Sequence, residues 1–153
     1  MEKLADFHGL GGMLNSFRDL VQEDRKITFV GSPGFCTPFV LFLGYPIRNK
    51  EMVFVPGLDK ERARRIKPTD YGLELGEASS ADADTLVVLG GMAMPKIGVS
   101  AEEMADFLRA VPHRRLIGVC FMGIFEKAGW CQKLPFDIVM NTTLDGDISG
   151  QRK

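Results

Sequence analysis

Apolar residues recur along this chain in two rhythms. In "GGMLNSFRDLVQED" the residues Met13, Leu14, Phe17, Leu20 and Val21 fall on one stripe of a helix, predicted at about 12–24. Gly11 and Gly12 open it and the charged run "QEDRK" closes it. Elsewhere the apolar runs are short and unbroken: "KITFVGS" (26–32), "EMVFVPG" (51–57), "DTLVVLGG" (84–91), "RLIGVC" (115–120) and "FDIVMNTT" (136–143). Valine, isoleucine and leucine without alternation predict strands buried on both faces. Between them, "TPFVLFLGYPI" (37–47) predicts a short buried helix with Thr37 as N-cap and Pro38 at its first position. "SAEEMADFLRAV" (100–111) predicts another, opened by a capping box of Ser100 and Glu103, with Met104, Phe107, Leu108 and Val111 facing inward. "MGIFEKAGW" reads as a further helix, "DKERARRIK" (59–67) as a charged helix or turn, and "YGLELGEA" as a short edge strand.

Strand–helix–strand order repeated in this way predicts an α/β fold: a three-layer, doubly wound, mainly parallel sheet of five to six strands, Rossmann- or flavodoxin-like. At 153 residues the chain is expected to form a single domain spanning 1–153.

Composition narrows the functional classes. The net charge of −1 supplies no field to recruit nucleic acid or an anionic membrane. The longest apolar run, "FVLFLGYPI", is about half of what a membrane span requires, and "MEKLADFHGLGG" is no secretory signal. The three cysteines, Cys36, Cys120 and Cys131, cannot all pair, which points to free thiols in a reducing compartment. The expectation is a soluble, cytoplasmic protein.

In an open parallel sheet, ligands bind beyond the carboxyl ends of the strands. Three loops should converge there: "GSPGFCT" (31–37), "GGMAMPK" (90–96) and "CFMG" (120–123). Cys120 sits where a strand turns sharply into a helix, the place for a nucleophile, with the amides of Gly91, Met92 and Phe121 as candidate oxyanion donors. A small core residue is equally at home there. Ser32, Gly34 and Lys96 are candidate contacts for a small, anionic ligand. Cys36 is a candidate second thiol, provided that its strand lies near that of Cys120. Two thiols without histidine are too few for a structural zinc, and no metal or cofactor is expected. "GSPGF" lacks both the nucleoside-triphosphate and the dinucleotide fingerprints. Cys131 lies beyond the fourth helix, away from the strand tips, Trp130 beside it reads as a packing residue, and "DKERARR" as a solvated face.

"DADTLVVLGGMAMP", followed by "SAEEMADFLRAVPHRRLIGVCFMGIFEKAGW", resembles the ThiJ/PfpI and class I glutamine amidotransferase superfamily. The resemblance implies a glutamine amidotransferase-like fold and a nucleophilic cysteine at a G-x-C-x-G elbow, served by a histidine. Here the elbow reads Gly118-Val119-Cys120-Phe121-Met122-Gly123, one residue longer before the second glycine. Phe121 stands where many members carry histidine, "VMNTTLDGD" supplies none, and "GSPGFCTPF" lacks the family's glutamate. The two histidines are His8 and His113, the latter expected about 20 Å or more from Cys120 across its strand. Asp145 and Asp147 remain as bases, but a carboxylate raises a thiol pKa. The whole chain also resembles a small archaeal family, chiefly from methanogens, with no assigned activity.

Whether the chain is an enzyme stays open at this point. One reading is a thiol-based hydrolase or redox-responsive protein acting through Cys120. The alternative is a non-catalytic small-molecule or anion-binding module that lacks the Cys–His dyad. A third is an interaction protein, a homodimer among the possibilities.

Overall fold

The computed structural model describes residues 1–152. The N-terminal helix α1 spans Gly9–Leu20 and buries Met13 and Phe17. It lies earlier than the spacing predicts, because Gly11 and Gly12 fall inside it. A Cβ at Gly12 would sit 3.4 Å from Phe7, which packs back on that turn. Then follow β1 (Lys26–Gly31), α2 (Thr37–Gly44), β2 (Glu51–Pro56), β3 (Arg64–Thr69), β4 (Gly72–Ala78), β5 (Thr85–Leu89), α3 (Ala101–Ala110), β6 (Arg115–Phe121), α4 (Ile124–Lys127), α5 (Trp130–Lys133) and β7 (Ile138–Thr142).

The strands form one sheet in the order β4-β3-β2-β1-β5-β6-β7, seven rather than the expected five to six. From β2 to β7 all neighbours are parallel, whereas β3 and β4 form an antiparallel hairpin on the β2 edge. The extra strand is β3, which sequence patterning reads as a charged helix or turn. Only Lys60–Arg62 make a helical turn, with Asp59 accepting the Glu61 N–H at 3.2 Å. Beyond it Ile66 alone is buried, between the exposed Arg65 and Lys67. Lys67 and Glu77 of β4 pair at 2.8 Å. One inward residue between two charged ones is a half-buried strand, but too short a pattern to stand out.

Side-chain alternation splits the core into two layers. Ile27 and Phe29 of β1, Val87 and Leu89 of β5, and Ile117 and Val119 of β6 meet α1 and α2. Val30, Leu86, Val88, Leu116 and Cys120 meet α3, α4 and α5 on the other face. Helices therefore cover both faces of a mainly parallel sheet, and β1, β2, β5 and β6 are buried along most of their length. The capping box opens α3 as expected, Ser100 Oγ accepting from Glu103 N–H at 3.0 Å and Glu103 returning the bond at 3.1 Å. The single helix expected for "MGIFEKAGW" is two one-turn pieces, because Gly129 takes φ +76° between α4 and α5.

Candidate functional site

The chain leaves β1 outward to β2 and the hairpin, then returns to β5 on the other side of β1. Strand order thus reverses between β1 and β5. Because α2 follows β1 onto one face and α3 follows β5 onto the other, the loops 31–37 and 90–97 diverge above this pair. Such a point is where an open α/β sheet has room for a ligand.

The two loops touch at its floor. A Cβ at Gly91 would lie 2.5 Å from Cys36 Sγ, 3.3 Å from Ser32 Oγ and 3.4 Å from the Phe35 ring. Ser32 and Cys36 are both buried and share a hydrogen bond of 3.2 Å between Oγ and Sγ. Gly34 takes φ +86° and donates its N–H to Thr37 Oγ1 at 3.1 Å, so Thr37 closes the loop as the first helical residue and Cys36, not the expected Thr37, is the N-cap. That turn turns Phe35 outward, where its side chain is 56% exposed. Lys96 Nζ stands 5.7 Å from the centroid of the Phe35 ring, within the range of a cation–π contact. Phe39 packs onward against Phe121, the rings tilted with centroids 5.1 Å apart.

Cys120 and Cys36 are not brought together. Strand β5 lies between their strands, and each thiol enters a different core layer. The glycine pair separates them: a Cβ at Gly90 would meet Cys120 Cβ at 2.6 Å, as one at Gly91 meets Cys36. The thiol that shares the core layer of Cys120 is Cys131 of α5, whose pKa is raised first by burial, then by Glu126, and to a smaller degree by Cys120.

At the elbow, the residue with left-handed backbone is Met122, at φ 57°, and not Cys120, which still belongs to β6. Met122 N–H donates to Thr142 O at 3.0 Å, and its half-exposed thioether takes the Leu144 N–H at 3.4 Å. Cys120 points down into the core and donates to Asn141 Oδ1 at 3.5 Å. Asn141 also accepts the Gly123 N–H at 2.8 Å and so ties the elbow to β7. Burial pushes the Cys120 thiol above its ordinary pKa, against a smaller opposing effect of the Phe125 and Ile124 amides. Those two amides, rather than Phe121, Gly91 or Met92, are the ones that reach its sulfur. Asp145 and Asp147 are exposed beyond β7, and neither bonds to Cys120. His8 precedes α1, and His113 Nδ1 lies 2.7 Å from Val111 O, before the start of β6.

Among the described residues no three or more His, Cys, Asp and Glu side chains are grouped to hold a metal. No helix there is long and apolar enough to cross a membrane. Asn141 escaped sequence reasoning because a strand-end asparagine carries no motif. Its register opposite Cys120 is what gives it a role.

Residues 8–145 match the family described as "Uncharacterized protein conserved in archaea (DUF2124)". The chain belongs to this family. An uncharacterized protein of Methanothermobacter thermautotrophicus is 41% identical over 150 residues, 97% of this chain and 98% of its own. One of Methanocaldococcus jannaschii is 38% identical over 144 residues, 92% and 89% of the two chains. A crystal structure of a protein of unknown function from Methanothermobacter thermautotrophicus superposes with a TM-score of 0.95 at 40% identity, covering 99% of both chains. The resemblance of the whole chain to an archaeal family with methanogen members is thereby borne out.

Proposed function

We propose that this protein is a non-catalytic binding module that holds a small anion carrying a planar ring above the β1–β5 junction. The observation that carries this reading is the pairing of Lys96 with the exposed Phe35 ring over the point where strand order reverses. The lysine supplies charge, the ring a stacking face, and Ser32, Cys36 and Gly91 the close-packed floor, with open space beside Gly34. Five parallel strands running β2-β1-β5-β6-β7 match the flavodoxin-like order, whose ligands sit at this junction.

A thiol-based reaction fits less well. A nucleophile needs an activated thiolate within reach of a base. Cys120 is 1% exposed, its pKa is raised by burial, and its side-chain partner is an amide oxygen. In this reading the chain keeps the layout of a ThiJ/PfpI-like protein, with a methionine at the strained elbow in place of the nucleophile.

The test is an amide-resolved NMR titration with three probes: AMP, ribose 5-phosphate, which has no base, and adenosine, which has no anion. AMP should shift the amides of Gly34, Phe35, Gly91 and Lys96 saturably, and more strongly than either fragment. Lys96→Glu should weaken it roughly fivefold or more, about 1 kcal/mol. If none of the three moves these amides at about 10 mM, a level that detects even millimolar affinity, the reading is wrong.

A further inference from the structure

The segments that form the carboxyl end of the sheet carry almost no charge. Residues 31–47, 118–125 and 138–144 hold no Asp, Glu, Lys or Arg, and within 90–99 Lys96 stands alone. A line of apolar side chains leads away from that cation. The Phe35 ring lies 5.7 Å from Lys96 Nζ, the Phe39 ring follows 6.2 Å from Phe35, and the Phe121 ring 5.1 Å from Phe39. Phe39 and Phe121 are only partly buried. Beside Phe121, Met122 is 48% and Leu144 49% exposed, and the two meet where the Leu144 N–H donates to Met122 Sδ at 3.4 Å. Successive rings of the line are tilted against each other by 51° and 49°.

We propose that the ring-bearing anion of the β1–β5 junction is an amphiphile, an aromatic monocarboxylate with a flexible apolar chain laid along Phe39, Phe121 and Met122. This rests on the binding reading above and names the class of its ligand. Charge sets the head: one lysine among uncharged loops balances one negative charge, and a second would be left unpaired beside apolar groups. Tilt sets the tail. A wide fused-ring system can stack on one of these planes but not on all three, whereas a chain that turns about its single bonds follows them. From Phe35 to Phe121 the line runs at most about 11 Å, room for roughly eight or nine bonds at about 1.2 Å each. An apolar strip that begins at a lone cation is the form of a ligand groove. A bilayer is the weaker fit, because a chain of net charge −1 brings a single lysine to this end of the sheet.

The full chain titrated with 4-methyl-, 4-butyl- and 4-octylbenzoate, by calorimetry and amide-resolved NMR, tests this. Affinity should rise roughly twofold per added methylene, since a half-open strip removes about half of each methylene's surface from water. In the wild type all three should shift the amides of Phe35 and Lys96, and only the longer two those of Phe121, Met122 and Leu144. Phe39→Ala, with an unchanged circular dichroism spectrum, should flatten the length dependence and keep 4-methylbenzoate binding within about twofold. Saturable binding that ignores chain length overturns this inference alone and leaves the ring-anion reading standing. Silence of the whole series and of AMP overturns both. A length dependence without shifts at Phe121, Met122 and Leu144 puts the chain elsewhere and overturns the inference. Phosphatidylglycerol vesicles that move those amides where the benzoates do not overturn it in favour of a lipid surface.

Discussion

Cys36 and Cys120 lie on opposite faces of the sheet, with the Gly90–Gly91 pair wedged between their side chains. No movement short of unfolding the strand ends joins them, so their oxidation to a mutual disulfide is not a route open to the folded protein. Alkylation by iodoacetamide, resolved by mass spectrometry for each cysteine, should show this chemically. Cys131, half-buried, should react first, and the buried Cys36 and Cys120 should stay protected until urea unfolds the chain. Cys120 should titrate above its ordinary value of 9.0, since burial raises it. A group raised in the folded state stabilises the fold below its unfolded pKa and loses that contribution as pH climbs through the folded one. Rapid labelling of Cys120 at neutral pH would restore the thiol mechanism.

The same wedge makes the two glycines unequal. Gly91→Ala presses on Cys36 Sγ at 2.5 Å, and Gly90→Ala on Cys120 Cβ at 2.6 Å and on Ile124 Cγ2 at 2.8 Å. Each should cost about 1–3 kcal/mol by overpacking. Adding Cys36→Ala removes the sulfur and should recover most of the Gly91→Ala loss. Adding Cys120→Ala leaves the Cβ in place and should recover little of the Gly90→Ala loss. Chemical denaturation of the two double-mutant cycles checks both. Equal rescue in the two cycles would show that the wedge is not what the glycines are for.

Much of this architecture was legible from the sequence. The unalternating runs at β1, β2, β5 and β6 could belong only to strands buried on both faces, and Ser100 with Glu103 marked the start of α3. The three loops at the sheet top were legible for the same reason, since each follows a strong strand. Their arrangement was not. Strand order decides that β5 separates Cys36 from Cys120, and no single residue encodes strand order. Nor could spacing show that the left-handed residue of the elbow is Met122, because the register with β7 sets where β6 ends. Charge masked β3, whose one buried residue, Ile66, gave periodicity nothing to repeat.

Met122 holds φ 57° with a long side chain, a conformation that costs of order 1 kcal/mol outside glycine. Met122→Gly should therefore stabilise the fold by up to about 1 kcal/mol, less what the Leu144 N–H contact to its sulfur contributes. Met122→Val, β-branched, should destabilise it. Thermal melts of both variants measure the effect, and a destabilised Met122→Gly would mean that the thioether contacts outweigh the strain.

Asp84 ties the start of the sheet together from its amino end. Its Oδ2 accepts the Arg25 N–H at 2.7 Å and the Lys26 N–H at 3.1 Å, while Oδ1 accepts from Arg114 at 3.1 Å. The Arg25 amide first, then that of Lys26, hold its pKa below the ordinary 3.8, with the charge of Arg114 adding to them. A carboxylate depressed by folding stabilises the fold above its unfolded pKa, and that contribution is lost as pH falls through the folded one. Asp84→Asn keeps one acceptor for the two amides, but it removes the charge and sets an NH2 donor against Arg114, and should cost about 2 kcal/mol at pH 7, the scale of hydrogen bonds to a charged group. As pH falls below about 3.8 the wild type loses the same charge, and the gap between the two proteins should close. Urea unfolding of both at neutral and acid pH decides it. A deficit that is equal at the two extremes would assign the loss to shape alone and leave the carboxylate's charge without a part in the fold.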